Sequence, residues 1–233
     1  MAWKKGIVNW SNYMRFKIIG EHRGFYNQNG YLELESVLTS EEISLLSTAA
    51  DKLLEKRLVD QFEFHSAEEL FKAGHDLWRE DAIIRKRVLS HNLAELGADL
   101  FRKKSILLAY DQLLRTGAKP GFPQKLPLTL NEMSSIVPLA GALLLHLSGP
   151  QIPSEFIPRQ PENVVFLSPD MIIPWELFFQ LPHQSYLLIA YAAPESVYVL
   201  QKKDPHTHAL KKLGYVFGDR LKHEHHPLLY QKN

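Results

Sequence analysis

Cysteine is absent from all 233 residues of the chain. Its absence excludes disulfides, thiolate zinc sites, iron–sulfur clusters and a cysteine nucleophile. The chain also lacks an excess of either charge, because 27 Lys and Arg residues stand against 26 Asp and Glu residues. A near-neutral chain has no overall electrostatic attraction to nucleic acid or to an anionic membrane. We therefore expect neither of these as a partner.

Long hydrophobic runs are missing as well. The longest apolar stretches, Leu139 to Leu147 and Tyr186 to Ala193, reach less than half of the roughly 20 residues that a membrane-spanning helix needs. The polar, aromatic-rich start has no apolar run typical of a signal peptide. Together with the lack of cysteine, this favours a cytoplasmic protein.

The first half of the chain has the pattern of helices. Thr39 and Glu42 have the spacing of a capping box, in which each side chain accepts a backbone N–H of the other residue. Apolar residues recur at helical spacing from there to about Arg57, which predicts one amphipathic helix. A second helical tract runs from about Asp81 to Arg102, and Ser90 is placed to divide it in two.

From Ser105 onward the pattern changes to short apolar runs separated by most of the 14 prolines. Such runs, bounded by proline and glycine, predict strands. They span residues 106–110, 140–147, 163–167, 186–193 and 197–200. The tail after residue 200 has too few apolar residues to form a domain, so we expect it to pack onto the main body.

Several short motifs occur in the order typical of a known family. They are Phe25, Gly30-Tyr31-Leu32, Val37 to Ile43, Asp76-Leu77-Trp78, Tyr110-Asp111-Gln112 and Asn163 to Leu167. In these motifs the chain resembles the phytanoyl-CoA-dioxygenase-like iron/2-oxoglutarate oxygenases over roughly residues 20 to 200. It also resembles an uncharacterised group of chlamydial proteins, which brings no known chemistry.

The resemblance implies an α+β fold with a double-stranded β-helix core, a cupin-like jelly roll of two facing sheets flanked by N-terminal helices. We accordingly expect one domain over residues 1–233. Residues 1–104 would form a mainly helical part packed on the barrel, residues 105–200 the jelly-roll core, and residues 201–233 a tail packed on the body.

Iron ligands of this family are a His-x-Asp or His-x-Glu pair and a distal histidine, which leave positions open for the cosubstrate and oxygen. The resemblance places Thr129 and Asn131 where the pair should stand and Ile173 near the distal histidine. From Arg115 to Pro150 the only histidine is His146 and the only acidic residue is Glu132. No His-x-acid pair occurs in that stretch.

An arginine that anchors the carboxylate of 2-oxoglutarate should stand near Gln184 or Ser185, but no arginine occurs from Gln160 to Asp219. We therefore interpret the chain as a pseudo-oxygenase without iron or 2-oxoglutarate. Its role would be binding or regulation, with an unknown protein or small molecule as partner. We also expect neutral side chains to fill the former funnel, namely Thr129, Leu130, Asn131, Ile172, Ile173 and Trp175.

Two alternatives use other metal sites. The first is an enzyme with an atypical centre made of Glu132, His146 and a histidine of the tail. The second is a metal-responsive regulator, because five of the 11 histidines lie in the last 28 residues and imidazole binds zinc, nickel and copper. These five are His206, His208, His223, His225 and His226. His146 alone also has two interpretations, a general base in the cavity or a hydrogen-bonded core residue.

Overall fold

The structure is a computed structural model that describes residues 16–121 and 129–232. The helices in these ranges are α1 (Gly20–Asn29), α2 (Ser40–Leu58), α3 (Ala67–Ala73), α4 (Ala82–Val88), α5 (His91–Phe101) and α6 (Leu130–Met133). The strands are β1 (Tyr31–Leu34), β2 (Ser105–Arg115), β3 (Ile136–Ser148), β4 (Val164–Leu167), β5 (Ser185–Tyr198) and β6 (Leu228–Gln231). Short 3-10 helices span Phe62–Phe64, Leu77–Arg79, Trp175–Phe179 and Ala209–Leu213.

Local capping decides where the helices begin. The Thr39 hydroxyl accepts the Glu42 N–H at 3.2 Å, and the Glu42 carboxylate accepts the Thr39 N–H at 2.9 Å. The predicted capping box and the helix that follows it are therefore confirmed. The division of the second tract at Ser90 is confirmed too, because α4 ends at Val88 and Ser90 is the N-cap of α5. None of the helices described is both long and apolar enough to cross a membrane.

The six strands form one curled antiparallel sheet in the order β1-β4-β3-β5-β2-β6. Its centre is the long pair of β3 and β5, in which Leu143 lies opposite Ile189. Each predicted apolar run contributes to a strand, but the runs at residues 186–193 and 197–200, which the sequence separates, lie in one strand, β5. The expected mixed fold of helices and a curled antiparallel sheet is confirmed, and in the part of the chain described its strands hydrogen-bond as a single sheet.

Both edges of the sheet come from outside the predicted core of residues 105–200. β1 pairs with β4 at one edge, and β6 pairs with β2 at the other. The tail thus adds a strand to the body, which the low apolar content of residues 201–233 did not predict. The segment Leu126 to Leu128, which precedes the expected ligand positions, lies outside the described residues.

The strands alternate between two apolar clusters, one on each face of the sheet. Leu143 and Leu145 pack against α2, α4 and α5 on what we call the helix-covered face. Leu144 points the opposite way, to what we call the loop-covered face, where Trp175–Phe179 and residues 209–221 pack. The period of two in a strand explains this division. Leu130, Ile173 and Trp175, three of the residues expected to fill the former funnel, belong to the cluster on the loop-covered face.

Candidate functional site

Aromatic side chains occupy the centre of the loop-covered face. Phe178 meets the ring of Tyr186 edge-on at 5.2 Å between centroids, and Trp175 lies 5.9 Å from Phe178. Phe178, Tyr186 and Trp175 are all at least 97% buried. Because aromatic pairs at these distances stabilise each other beyond the area they bury, this face has a packed apolar centre.

Three of the six side chains expected to fill the funnel are buried there. Leu130, Ile173 and Trp175 have 0%, 2% and 3% of their surface exposed. The expectation was wrong for Ile172, which is 66% exposed. Ile172 and Ile173 are neighbours in an extended segment before Pro174, and their side chains point in different directions, so only one of them faces the cluster.

Thr129 and Asn131 have structural contacts. The Thr129 hydroxyl caps α6 by accepting the Glu132 N–H at 3.2 Å. The Asn131 amide oxygen accepts the Leu139 N–H at 3.1 Å, and its NH₂ group donates to Asp170 at 2.6 Å. Thr129 therefore stabilises the start of α6 itself, whereas Asn131 ties the start of β3 to the segment after β4.

The predicted arginine position is filled by neutral groups. Gln184 is fully buried, where its amide oxygen accepts the Leu181 N–H at 2.9 Å and its NH₂ group donates to the Tyr186 hydroxyl at 3.2 Å. Arg115 pairs with Ser185 across β2 and β5. Its guanidinium lies on the helix-covered side, 3.3 Å from Asp51 of α2 and over the Phe62 ring. Arg115 thus does not supply the missing anchor.

A ferrous site of the facial type needs two imidazoles and one carboxylate. The three positions that the resemblance assigns to these ligands hold a capping hydroxyl, an amide with both ends hydrogen-bonded, and a buried alkyl side chain. This donor set does not fit ferrous iron. The neutral groups at Gln184 and Ser185 do not fit a 2-oxoglutarate carboxylate either, since they offer no bidentate cation.

His146 does point to the loop-covered face. Its ring stacks on Tyr186 at 4.8 Å, and its Nε2 lies 3.0 Å from the Ser148 carbonyl oxygen. Burial lowers its pKa, so the ring is neutral near pH 7. With Nε2 donating to that carbonyl, Nδ1 is left as a buried acceptor without a partner. These contacts are those of a hydrogen-bonded core histidine.

The five histidines of the tail are dispersed. His206 stacks between other rings, and His208 and His223 are exposed. His225 lies 3.3 Å from Glu224, and His226 is fully buried with its Nδ1 3.1 Å from the carbonyl oxygens of Leu108 and Ala109. Glu132 is bound by Lys203 at 2.7 Å. Within residues 16–121 and 129–232, no three or more acidic or histidine side chains converge in a way that could hold a metal ion.

A polar pocket, which the sequence analysis missed, lies beside β2. Its polar lining includes His75, Asp76, Tyr110, Ser135, Asp204 and His206, and its cavity volume is about 30 Å³. These residues come from four separate places in the chain, so no single local spacing could have indicated the pocket. Asp76 and Tyr110 belong to motifs that support the family resemblance, but the resemblance assigned neither residue a functional role.

Hydrogen bonds hold one wall of this pocket. The Asp204 carboxylate accepts the Ser135 N–H at 2.8 Å, the Ser135 hydroxyl and the His206 N–H at 2.7 Å. Burial raises the pKa of Asp204, and its hydrogen bonds and the nearby His75 oppose that rise. Burial lowers the pKa of His206 to about 2, and repulsion from His75 and Lys72 adds to the effect. The His206 ring is therefore neutral.

The curled antiparallel sheet with helices on one face has the cupin-like jelly-roll fold of the iron/2-oxoglutarate oxygenases. The non-heme α-ketoglutarate-dependent carbocyclase SnoK from nogalamycin biosynthesis has a TM-score of 0.63 at 14% identity, covering 91% of this chain and 96% of SnoK. The α-ketoglutarate-dependent epimerase SnoN from the same biosynthesis has a TM-score of 0.64 at 13% identity, covering 91% and 98%.

The protein CT296 from Chlamydia trachomatis has a TM-score of 0.50 at 14% identity, and the match covers 78% of this chain and 99% of CT296. No family model and no curated protein matches the sequence. At identities this low the structural likeness shows the fold alone.

Proposed function

We propose that this chain is a pseudo-oxygenase, a protein that retains the iron/2-oxoglutarate oxygenase fold in a binding or regulatory role without iron or 2-oxoglutarate. The observation that carries the proposal is the use of the expected ligand positions. Thr129 caps a helix, Asn131 connects two segments, and Ile173 is buried in the apolar cluster. Each position has a contact that an iron ligand could not keep.

The packing of the loop-covered face supports the proposal. In a working site, the metal binds the polar ligands that line the cavity. Without the metal, each buried ligand that lacks a hydrogen-bond partner would lower the free energy of unfolding by about 1 to 3 kcal/mol. Phe178, Tyr186 and Trp175 instead fill the centre with apolar surface. A fold that no longer binds iron would gain stability from this replacement.

We further propose, on the basis of the sequence motifs, a relationship to the phytanoyl-CoA-dioxygenase-like proteins. The β1 segment Gly30-Tyr31-Leu32 and the capped helix α2 occur in the structure in the order that this resemblance implies. The likeness to CT296 fits the resemblance to chlamydial proteins. We regard both likenesses as support for common ancestry, and neither names a substrate.

The proposal is tested by adding ferrous iron and 2-oxoglutarate to the untagged protein without oxygen. We expect no visible charge-transfer band and no heat of binding, and elemental analysis of the purified protein should find no stoichiometric iron. A stoichiometric band would overturn the proposal, because it would mean that other side chains replace the missing ligands.

A triple variant, Thr129→His with Asn131→Asp and Ile173→His, extends the test. It restores the ligand types but leaves the arginine anchor absent. We expect a lower melting temperature than in the unchanged protein and no turnover of 2-oxoglutarate. The Thr129 cap and the buried Ile173 are lost, and an aspartate at position 131 repels Asp170 instead of donating to it. An unchanged melting temperature without iron would show that the loop-covered face is open and wet, which would contradict the argument from packing.

A further inference from the structure

The polar pocket beside β2 shares no residue with the expected iron positions. β6 pairs with β2 only from Ser105 to Leu107, so the rest of this edge of β2 has no strand beside it. The segment after α3 lies along that edge, and its His75 forms a β-bridge to Gln112. The pocket lies in this region. Gly74 permits this close approach, since a Cβ there would lie 2.7 Å from the Leu113 carbonyl oxygen.

Aromatic rings form one side of the pocket. The His206 ring is stacked on Phe71 at 5.6 Å and on His75 at 4.0 Å, and His75 lies 5.3 Å from Tyr110. The planes of the two imidazoles are within 10° of parallel. Since the lone pairs of an imidazole lie in its ring plane, two stacked rings cannot converge on one metal ion. The pocket is thus unsuited to a histidine-bound metal.

Several residues that line this space have buried polar side-chain atoms without a hydrogen-bond partner. Asp76 Oδ2 accepts a hydrogen bond from Arg79 Nε at 2.8 Å, but Asp76 Oδ1 is buried without a partner. His75 Nδ1 and His206 Nε2 are buried and unpaired in the same way. A second carboxylate, Asp204, lines the pocket at 9% exposure. Unpaired buried groups of this kind cost free energy unless a ligand or water satisfies them.

The lining contains two carboxylates, Asp76 and Asp204, and, among the residues described, no lysine or arginine. Arg79 pairs with one oxygen of Asp76 from outside the lining and leaves the other oxygen without a partner. Tyr110 is 7% exposed, and both Asp204 and Asp76 add to the rise in its pKa that burial causes. Both carboxylates therefore act on the space around its hydroxyl. Aromatic faces and carboxylates together are the groups that bind a small cation.

We propose that this pocket binds the primary ammonium group of a small amine. Three N–H donors on one compact cation would satisfy Asp76 Oδ1 and neighbouring acceptors at once, while the rings around His75 and Tyr110 would contact its apolar end. The cavity volume of about 30 Å³ has room for a group of one or two water-sized volumes, which fits an ammonium head and excludes a quaternary one.

Titration calorimetry with n-propylammonium chloride tests this inference, with sodium chloride and tetramethylammonium chloride at equal ionic strength as comparisons. We expect binding of n-propylammonium alone. Asp76→Asn should weaken it by about tenfold or more, the usual effect of losing a charge-assisted hydrogen bond. Asn suits this position because Asp76 has a φ of 53°, a left-handed conformation that asparagine adopts readily.

Two further variants keep the test independent of folding defects. Tyr110→Phe keeps the ring and removes only the hydroxyl, so it should also weaken binding. Glu41→Gln removes an exposed carboxylate in the first turn of α2, away from the pocket lining, and it should leave binding unchanged. Equal heats from sodium or tetramethylammonium, no heat from n-propylammonium, or unchanged affinity in Asp76→Asn would each overturn the proposal.

The ammonium group could belong to a free amine or to a lysine of a protein. An additional titration with Nα-acetyl-lysine methylamide separates these sources. Tighter binding of n-propylammonium supports a free amine, as we propose, whereas tighter binding of the lysine derivative would replace it with a protein partner.

Discussion

Leu145 and Tyr186 lie on opposite faces of the same sheet, under different kinds of cover. Above Leu145, the helix-covered face is closed by α2, α4 and α5, whose apolar stripes and caps are regular. Above Tyr186, the loop-covered face is closed by a 3-10 helix, aromatic rings and a tail segment. The difference teaches that one sheet can be buried equally well by regular helices on one face and by irregular segments with aromatic side chains on the other.

The largest expected effect tests whether the loop-covered face is a true core. Phe178→Ala should destabilise the protein by about 3 to 5 kcal/mol, because a large side chain that is 1% exposed leaves a cavity. Leu54→Ala on the helix-covered face, where Leu54 is fully buried, should cost about 2 to 5 kcal/mol. Denaturant unfolding measures both, and a cost below about 1 kcal/mol for Phe178→Ala alone would show that this face is an open funnel.

The second prediction concerns the pH dependence of stability that arises from His206, a histidine on the loop-covered side. His206 has a pKa of about 2 in the folded chain, whereas an unperturbed histidine titrates near 6.5. As the pH falls from 7 to 5, the unfolded chain binds a proton at this residue and the folded chain does not. The free energy of unfolding should therefore fall by about 2 kcal/mol through His206 alone.

His206→Gln removes that contribution, so the variant should lose less stability than the unchanged protein between pH 7 and pH 5. The pKa of His226 is also lowered by burial, to about 4, and acts in the same direction in both proteins. His208→Gln changes an exposed imidazole two residues away and is the matched control. Identical pH dependence of unfolding in His206→Gln and the unchanged protein would refute the buried, neutral state of His206.

A smaller effect is expected at the connection between α6 and the sheet. Asn131→Ala should cost about 1 to 2 kcal/mol, because the Leu139 N–H and Asp170 lose their partner. Asn29→Ala, which removes an exposed amide that donates to the Phe25 carbonyl oxygen, should stay within about 0.5 kcal/mol. Thermal melts of both variants provide the measurement, and equal shifts would mean that Asn131 has no special structural role.

The smallest effect concerns the helix-covered face. Thr39→Ala should cost about 1 kcal/mol, the usual value for loss of an N-cap, because the Glu42 N–H at the start of α2 loses its acceptor. Thr39→Ser keeps the hydroxyl and should restore most of the stability. If Thr39→Ala and Thr39→Ser unfold at the same denaturant concentration, the capping box contributes nothing.

The helix-covered side could be predicted from sequence because its signals are local. Thr39 with Glu42, and Ser90 between two helical tracts, mark boundaries within a few residues of chain. The loop-covered side could be predicted only in part: Ile173 and Trp175 were expected to be buried, but Ile172 was expected there too. The pocket could not be predicted, because His75 and His206 meet only through the fold, and β6 has too short an apolar pattern to indicate a strand.

The order of the strands in the sheet also bears on how the chain folds. Tyr31 of β1 pairs with Leu167 of β4, and Ser105 of β2 pairs with Gln231 of β6. Among the six strands described, only β3 and β4 are neighbours both in the sheet and in the sequence. A topology of such distant pairings has a high contact order, and proteins of this kind fold slowly. During synthesis, β1 must wait for β4 to emerge from the ribosome, and β2 remains unpaired along one edge until nearly the whole of this chain has been made.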